Sequence, residues 1–180
     1  MLTQQIIEWV RSKNFTFQVN EDEGNIIQLT FPVTKELPSG PIDFKIKSTL
    51  HANEEHGDIV ILSHYPQRCV ENNEDSVVGL IALINPRIRS GCFEIDSRSR
   101  KIWFKTYYPV AEGLDNVLLE KLVYSSVTVL LRWFDALFDC ASNGREPMKA
   151  FTLQLLTIMD TDGMSQSEIL DQAFLRRHFE

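Results

Sequence analysis

The densest collection of possible metal ligands in the chain is His51-Ala52-Asn53-Glu54-Glu55-His56-Gly57-Asp58. Two imidazoles among carboxylates bind zinc or another divalent ion when the fold gathers them. The spacing here is not HExxH, and a hairpin loop does not set both histidines on one helical face, so a solvated acidic turn is the favoured reading. Asp160-Thr161-Asp162-Gly163 looks like part of a calcium loop. Placing Gly163 at loop position six, however, puts Ile158 first and Ile169 twelfth, where oxygen ligands are needed. A polar break between helices is expected there. Cys69, Cys92 and Cys140 would each need a base such as His64 beside them to act as nucleophiles, and nothing local supplies one. They form no CxxC pair, and their odd number fits a reducing compartment. No glycine-rich phosphate loop and no GxSxG occurs. The sequence therefore offers no catalytic residues, no metal site and no cofactor, and a protein that is not an enzyme is expected.

Two features point to binding instead. Arg87, Arg89, Arg98, Arg100, Lys101 and Lys105 put six cations within nineteen residues, with only Glu94 and Asp96 as anions among them. On a hairpin with Trp103 and Tyr107 on the same side, cations beside aromatics can hold an acidic partner segment, a small anion or single-stranded RNA. Ordinary solvated hairpin ends are the plain alternative, since charge on an exposed turn is the default. The second feature is the apolar run from Leu118 to Phe138, where Tyr124, Val129 and Trp133 lie outside the stripe that a sheet would cover. Surplus apolar surface marks an interface with a partner, unless later helices of the same chain lie over it.

These groups must be positioned by a chain of 180 residues that is 43% hydrophobic and 24% charged, enough to build a core without disulfide staples. The formal charge of −7 argues against DNA or an anionic membrane as the main partner. Leu2, Ile6, Trp9 and Val10 recur at helical spacing behind Thr3 as a cap, with Asn14 as a stop. The N-terminal run lacks the basic start and continuous apolar stretch of a secretory signal, and no segment is apolar enough to span a membrane. A cytoplasmic location is expected, which leaves the sequon Asn14-Phe15-Thr16 without meaning.

Phe15, Phe17 and Val19 alternate with polar residues, as do Ile27, Leu29 and Phe31 beyond an acidic turn at residues 21–24, which predicts a hairpin. A loop from Pro32 to Gly40 is expected next. Ile42, Phe44, Ile46 and Leu50 then alternate with Asp43, Lys45, Lys47 and Thr49, giving a strand with one wet face. The more apolar Ile59 to Tyr65 reads as a buried strand ended by Pro66. Asp75 is placed to cap a helix bearing Val77, Val78, Ile81 and Ile84, stopped at Pro86. Residues 91–97 and 101–110 read as a second hairpin, with Phe93 and Ile95 facing Ile102, Phe104 and Tyr108. One long helix is expected from near Leu114 to a break at Asn143-Gly144, and another from Met148 to Met159 opened by Pro147. Ser165 and Glu168 have the spacing of a capping box ahead of Ile169, Leu170, Phe174 and Leu175. The expected fold class is α+β, an antiparallel sheet with helices packed on it in the order helix, four strands, helix, two strands, long helix. A domain over residues 1–142 is expected, followed by a helical extension over 143–180.

Within this pattern, residues Val77 to Ala141 resemble the YbjN family, whose fold is similar to that of type III secretion chaperones. The resemblance is carried by a short helix ending at Asn85, by the arginines after it, and by Gly91-Cys92-Phe93-Glu94-Ile95-Asp96. A tight turn, the aromatic strand Ile102-Trp103-Phe104 and the leucine-rich helix from Leu114 complete it. The element order extends it over residues 1 to 141. It implies a helix-sheet-helix domain, often a homodimer, that works by binding other proteins and brings no catalytic residues. The leading expectation is thus a non-enzymatic protein-binding or chaperone-like module. The alternative is a regulatory domain that binds a small anionic ligand or RNA at the basic hairpin 87–105.

Overall fold

A computed structural model describes residues 2–13, 15–20, 26–37, 40–110 and 114–162. The acidic turn at residues 21–24, the asparagine of the sequon, Gly163 and the capping box with its following helix lie outside the described residues. Among the described residues, six strands form one sheet: β1 (Thr16–Asn20), β2 (Ile26–Leu37), β3 (Gly40–Asn53), β4 (Asp58–Arg68), β5 (Cys92–Asp96) and β6 (Lys101–Pro109). Their spatial order is β1-β2-β3-β4-β6-β5, and every neighbouring pair is antiparallel. The helices are α1 (Leu2–Ser12), α2 (Glu74–Ile84), α3 (Asn116–Arg132), α4 (Phe134–Asn143) and α5 (Pro147–Asp162). The α+β class and the element order agree with the sequence reading.

Alternation decides which face the helices cover, because successive strand residues point to opposite sides. Ile27, Leu29, Ile46, Leu50, Ile59, Ile61, Phe93, Ile102 and Phe104 all point one way. They share a single core with Ile6, Trp9, Val10, Leu119, Val123 and Phe134 from the helices. α3 lies across β3, β4 and β6, while α5 packs on α2 and α4. Where α3 meets the sheet, a chain of buried hydroxyls runs from Ser48 through Ser63 to Ser126, with oxygen separations of 2.8 and 2.7 Å. Each serine thereby satisfies a group that would be costly to bury alone.

Several elements depart from the sequence reading. The expected loop from Pro32 to Gly40 is largely strand, since β2 runs to Leu37 and β3 starts at Gly40. β1 ends opposite Thr30 and β4 joins β3 only from Lys47, so residues beyond these pair on one side alone. Prolines are tolerated on such edges, where the missing N–H costs no ladder bond. This two-stranded ribbon is held by Phe44 stacked on Phe134, centroids 4.7 Å apart, and by Lys35 paired with Asp135 at 3.2 Å. β4 likewise continues past Pro66, through a register shift between His64 and Arg68. Asp75 is not the cap of α2. Asn73 takes the N-cap position without a side-chain cap bond, its amide donating instead to the Ala141 carbonyl at 3.2 Å. Thr3 lies inside the first turn of α1, and the Glu54 carboxylate accepts from the Leu2 and Thr3 N–H groups at 2.9 and 2.8 Å.

The single long helix is two helices. Trp133 leaves helical geometry at φ −104° and ψ 10°, and its ring stacks on Phe151 of α5 at 5.5 Å and 7°. On the next residue the chain turns Phe134 towards Phe44 and Tyr65. α4 ends in the left-handed Gly144, φ +63°. α5 begins at Pro147, as the sequence predicts, and closes on α2 so tightly that a Cβ on Gly79 would sit 2.8 Å from Pro147 Cγ. It runs on through Asp162, so the polar break expected at Asp160 is helical there.

Candidate functional site

The face of the sheet away from the core carries the side chains of opposite parity, and the strand register fixes their neighbours. One row runs Lys47, His64, Trp103, Glu94 across β3, β4, β6 and β5. The next runs Thr49, Leu62, Lys105, Cys92, and a third runs His51, Val60, Tyr107. On the other side of the first row, Arg68 stands opposite Lys101, which is itself opposite Asp96. The centre of this face is apolar and aromatic: Val60, Leu62 and Trp103 line a shallow depression of about 620 Å3 together with His51, Lys105 and the acids Glu54, Asp58 and Glu94. Beside it Tyr107 is 58% exposed.

Hydrogen bonds fix the aromatic groups. The Trp103 indole N–H donates to Glu94 Oε2 at 2.9 Å, and Lys105 pairs with the same carboxylate at 3.5 Å. Tyr107 donates its hydroxyl to the buried Asp58 at 3.2 Å, and the carboxylate beside it pushes the phenol pKa up. His64 meets the Trp103 ring edge-on at 6.2 Å and the Thr49 hydroxyl at 3.1 Å. Burial, and then the positive fields of Lys101 and Lys47, hold its imidazole below the usual histidine range. A second depression, about 300 Å3, lies next to this histidine and is lined by Gln28, Lys47, Arg68 and Lys101 among others.

The six cations of the basic stretch do not form one surface. Lys101 and Lys105 stand on the open face with Trp103, and Tyr107 shares that side, as the alternation predicts. Arg98 and Arg100 sit in the turn between β5 and β6, Arg100 at φ +56° and paired with Glu71 at 3.3 Å. Arg87 and Arg89 are on the helical side. Arg87 caps the Phe151 ring at 4.6 Å and donates to the Leu83 carbonyl at 2.6 Å, while Arg89 shares a groove with Arg132 and Val129. What the sequence reading missed is Lys47, His64 and Arg68. Their strands are separated in sequence, so only the register brings them beside Lys101. The wet-face alternation of Lys45 and Lys47 was the legible part of that signal.

Of the expected interface residues, Trp133 is 5% exposed and covered by α5, which corrects the reading of it as free apolar surface. Val129 is half-buried beside Leu155 and Ile158 of α5. Tyr124 alone is exposed, with the rings of Phe15 and Phe31 about it at 6.1 and 6.2 Å.

The polar loop between β3 and β4 has structural work. Glu54 holds the start of α1, Asn53 Oδ1 accepts from the Glu55 and His56 N–H groups at 3.2 Å, and Asp58 takes the Tyr107 hydroxyl. Among the described residues no cluster of three histidines, cysteines or acids is arranged to hold a metal. The three cysteines are free thiols. Burial pushes Cys69 up, burial and Glu94 push Cys92 up, and burial with Asp139 pushes Cys140 up to about 12. A thiol raised in this way is a poor nucleophile. Among the described residues, no helix is long and apolar enough to cross a membrane. No family model matches the chain, and no curated protein is similar enough to count as a relative.

Proposed function

We propose that the chain is a non-enzymatic binding module whose open sheet face takes a protein partner of acidic surface. The observation that carries this reading is the apolar and aromatic centre of that face, Val60, Leu62, Trp103 and Tyr107, set among Lys47, Arg68, Lys101 and Lys105. Apolar surface at the centre with charge at the rim is the arrangement of protein interfaces, where aromatic anchors supply most of the affinity. On the side of Lys47, Arg68 and Lys101 the rim is positive although the chain as a whole carries −7, while Glu54, Asp58 and Glu94 border the central depression. Such a rim selects a negative partner and speeds the encounter. The resemblance to the YbjN family and to type III secretion chaperones supports the same class of activity, and action by binding is consistent with the raised pKa of all three thiols.

Affinity capture on the full chain, with bound material identified by mass spectrometry, tests the proposal when run beside Leu62→Asp and Trp103→Ala. The expected result is a defined acidic protein retained by the unaltered chain and lost from both variants, with circular dichroism unchanged. Equal recovery by all three would remove the face from consideration, and recovery of RNA in place of protein would favour the ligand-binding alternative. A second copy of the chain bound through Leu62 would give the homodimer that the resemblance implies.

A further inference from the structure

We propose that Lys47, Arg68 and Lys101, gathered around His64 at the bulge in β4, form a binding site for a phosphate-class oxyanion. The proposal rests on the reading of the open face as a binding surface and names the chemistry of one part of it. The three cations come from three different strands, β3, β4 and β6, and line a single depression of about 300 Å3 with Gln28 and His64. No carboxylate is among its lining residues. Among the described residues none of the three has an acid within ion-pair distance. The acids across from them on β5 are engaged: Asp96 accepts from the Arg98 N–H at 2.9 Å and the Ser99 hydroxyl at 2.6 Å, and Glu94 is held by Trp103 and Lys105.

Folding alone works against this arrangement. Arg68 stands directly opposite Lys101 across the ladder, and like charges in that position repel. An unbroken ladder continued from the His64–Trp103 pair would have set Pro66 against Lys101. The register shift between His64 and Arg68 brings the arginine there instead. Bulges of this kind re-aim side chains. Lys47, opposite His64 on the other side of β4, adds the third charge. An anion in the depression offsets the repulsion among these cations.

The charge balance selects the class of ligand. A phosphomonoester carries about −1.5 to −2 at pH 7 and offers three strong acceptor oxygens. A guanidinium presents paired N–H donors that match two of those oxygens, and ammonium groups act as point charges for the rest. A lone carboxylate would leave most of the positive charge uncompensated. Free phosphate and a phosphorylated side chain of a partner share this chemistry.

The test is a titration of the full chain with inorganic phosphate at fixed ionic strength, with chloride as reference, following the His64 ring by NMR. The expected result is a saturable shift of the ring signals and a rise in the His64 pKa when the anion is bound. Lys101→Met and Arg68→Met should each bind at least tenfold more weakly, while Lys121→Met, exposed on α3 and away from the open face, binds as the unaltered chain does. Amide spectra of the variants verify that they fold. A phosphoserine peptide that binds at least tenfold tighter than phosphate assigns the site to a modified partner, and one that binds no tighter assigns it to free phosphate. A shift that does not saturate, or equal affinity in all four proteins, overturns the site. Absence of phosphate binding alongside capture that still depends on Leu62 would refute the oxyanion site and leave the open-face reading standing. Phosphate binding without such capture would do the reverse.

Discussion

Replacing Trp133 with alanine separates two accounts of the apolar surface on α3. The ring is 5% exposed and lies flat against Phe151 at 5.5 Å, so the contact is made within the chain. A buried tryptophan removes about 150–250 Å2 from water. At about 25 cal/mol per Å2 that amounts to about 4–6 kcal/mol, of which the alanine retains a part. Measured Trp→Ala losses in cores run at about 3–5 kcal/mol. We therefore expect Trp133→Ala to lose about 4 kcal/mol in urea unfolding followed by circular dichroism. At about 2–4 °C per kcal/mol for a domain of this size, Tm should fall by about 8–16 °C. A double-mutant cycle with Phe151→Ala should give a coupling of about 1 kcal/mol from the stacked pair. Light scattering on the folded variant should report the same oligomeric state as the parent. A loss below about 1 kcal/mol, together with a change in oligomeric state, would refute the reasoning and return Trp133 to an interface between chains.

Other consequences can be checked with the same unfolding assays. Ser63→Ala takes the shared partner from Ser48 and Ser126, both fully buried, and should cost about 1–3 kcal/mol; a loss within error would mean the three hydroxyls are not coupled. Gly79→Leu must push Pro147 away and should lower stability by about 1–3 kcal/mol in spite of its better helix propensity, whereas a stabilised variant would contradict the close contact of α2 and α5. Because the folded state lowers the His64 pKa, the unfolded chain binds the proton more readily. Stability should be full above the ordinary value of 6.5 and decline as pH falls below it, and His64→Gln should flatten that part of the profile. The Glu54 carboxylate is held below its ordinary 4.5 by the N–H groups of Thr3 and Leu2, so its contribution is present above that value and lost on further acidification. Hydrogen-exchange protection factors, which remove the intrinsic pH dependence of amide exchange, should then show α1 opening first, and α1 protection unchanged between pH 6 and pH 3 would contradict the cap.

Local patterns in the sequence were enough for most elements and for the buried faces. Phe93 and Ile95 pair with Phe104 and Ile102 as their alternation predicts, although Tyr108, expected with them, stands opposite Ile59 of β4, and Pro147 opens α5. Where prolines misled, the reason is topological. Pro32 reads as the start of a loop, but it stands where β2 has a neighbour on one side only. The break at Trp133 has no local signal, since neither glycine nor proline occurs there. It arises because Trp133 is drawn to α5 while Phe134 is drawn to the ribbon, a conflict that exists only in three dimensions. The candidate site was half legible for the same reason. Lys101, Trp103 and Lys105 alternate on one strand and share a face, but proximity in sequence also gathered Arg87 and Arg89, which the turn into β5 leaves on the helical side. Lys47, His64 and Arg68 join them through strand pairing and a bulge, neither of which a single strand's pattern encodes.

The most direct test of the open face is a photo-reactive amino acid placed at Leu62, compared with one at the exposed Lys121 of α3, in the full chain under conditions where its partner is present. The account predicts a discrete crosslinked species from the Leu62 position, containing an acidic protein and abolished by Trp103→Ala, with none from Lys121. Crosslinking from Lys121 alone, or equal crosslinking from both positions, would contradict it.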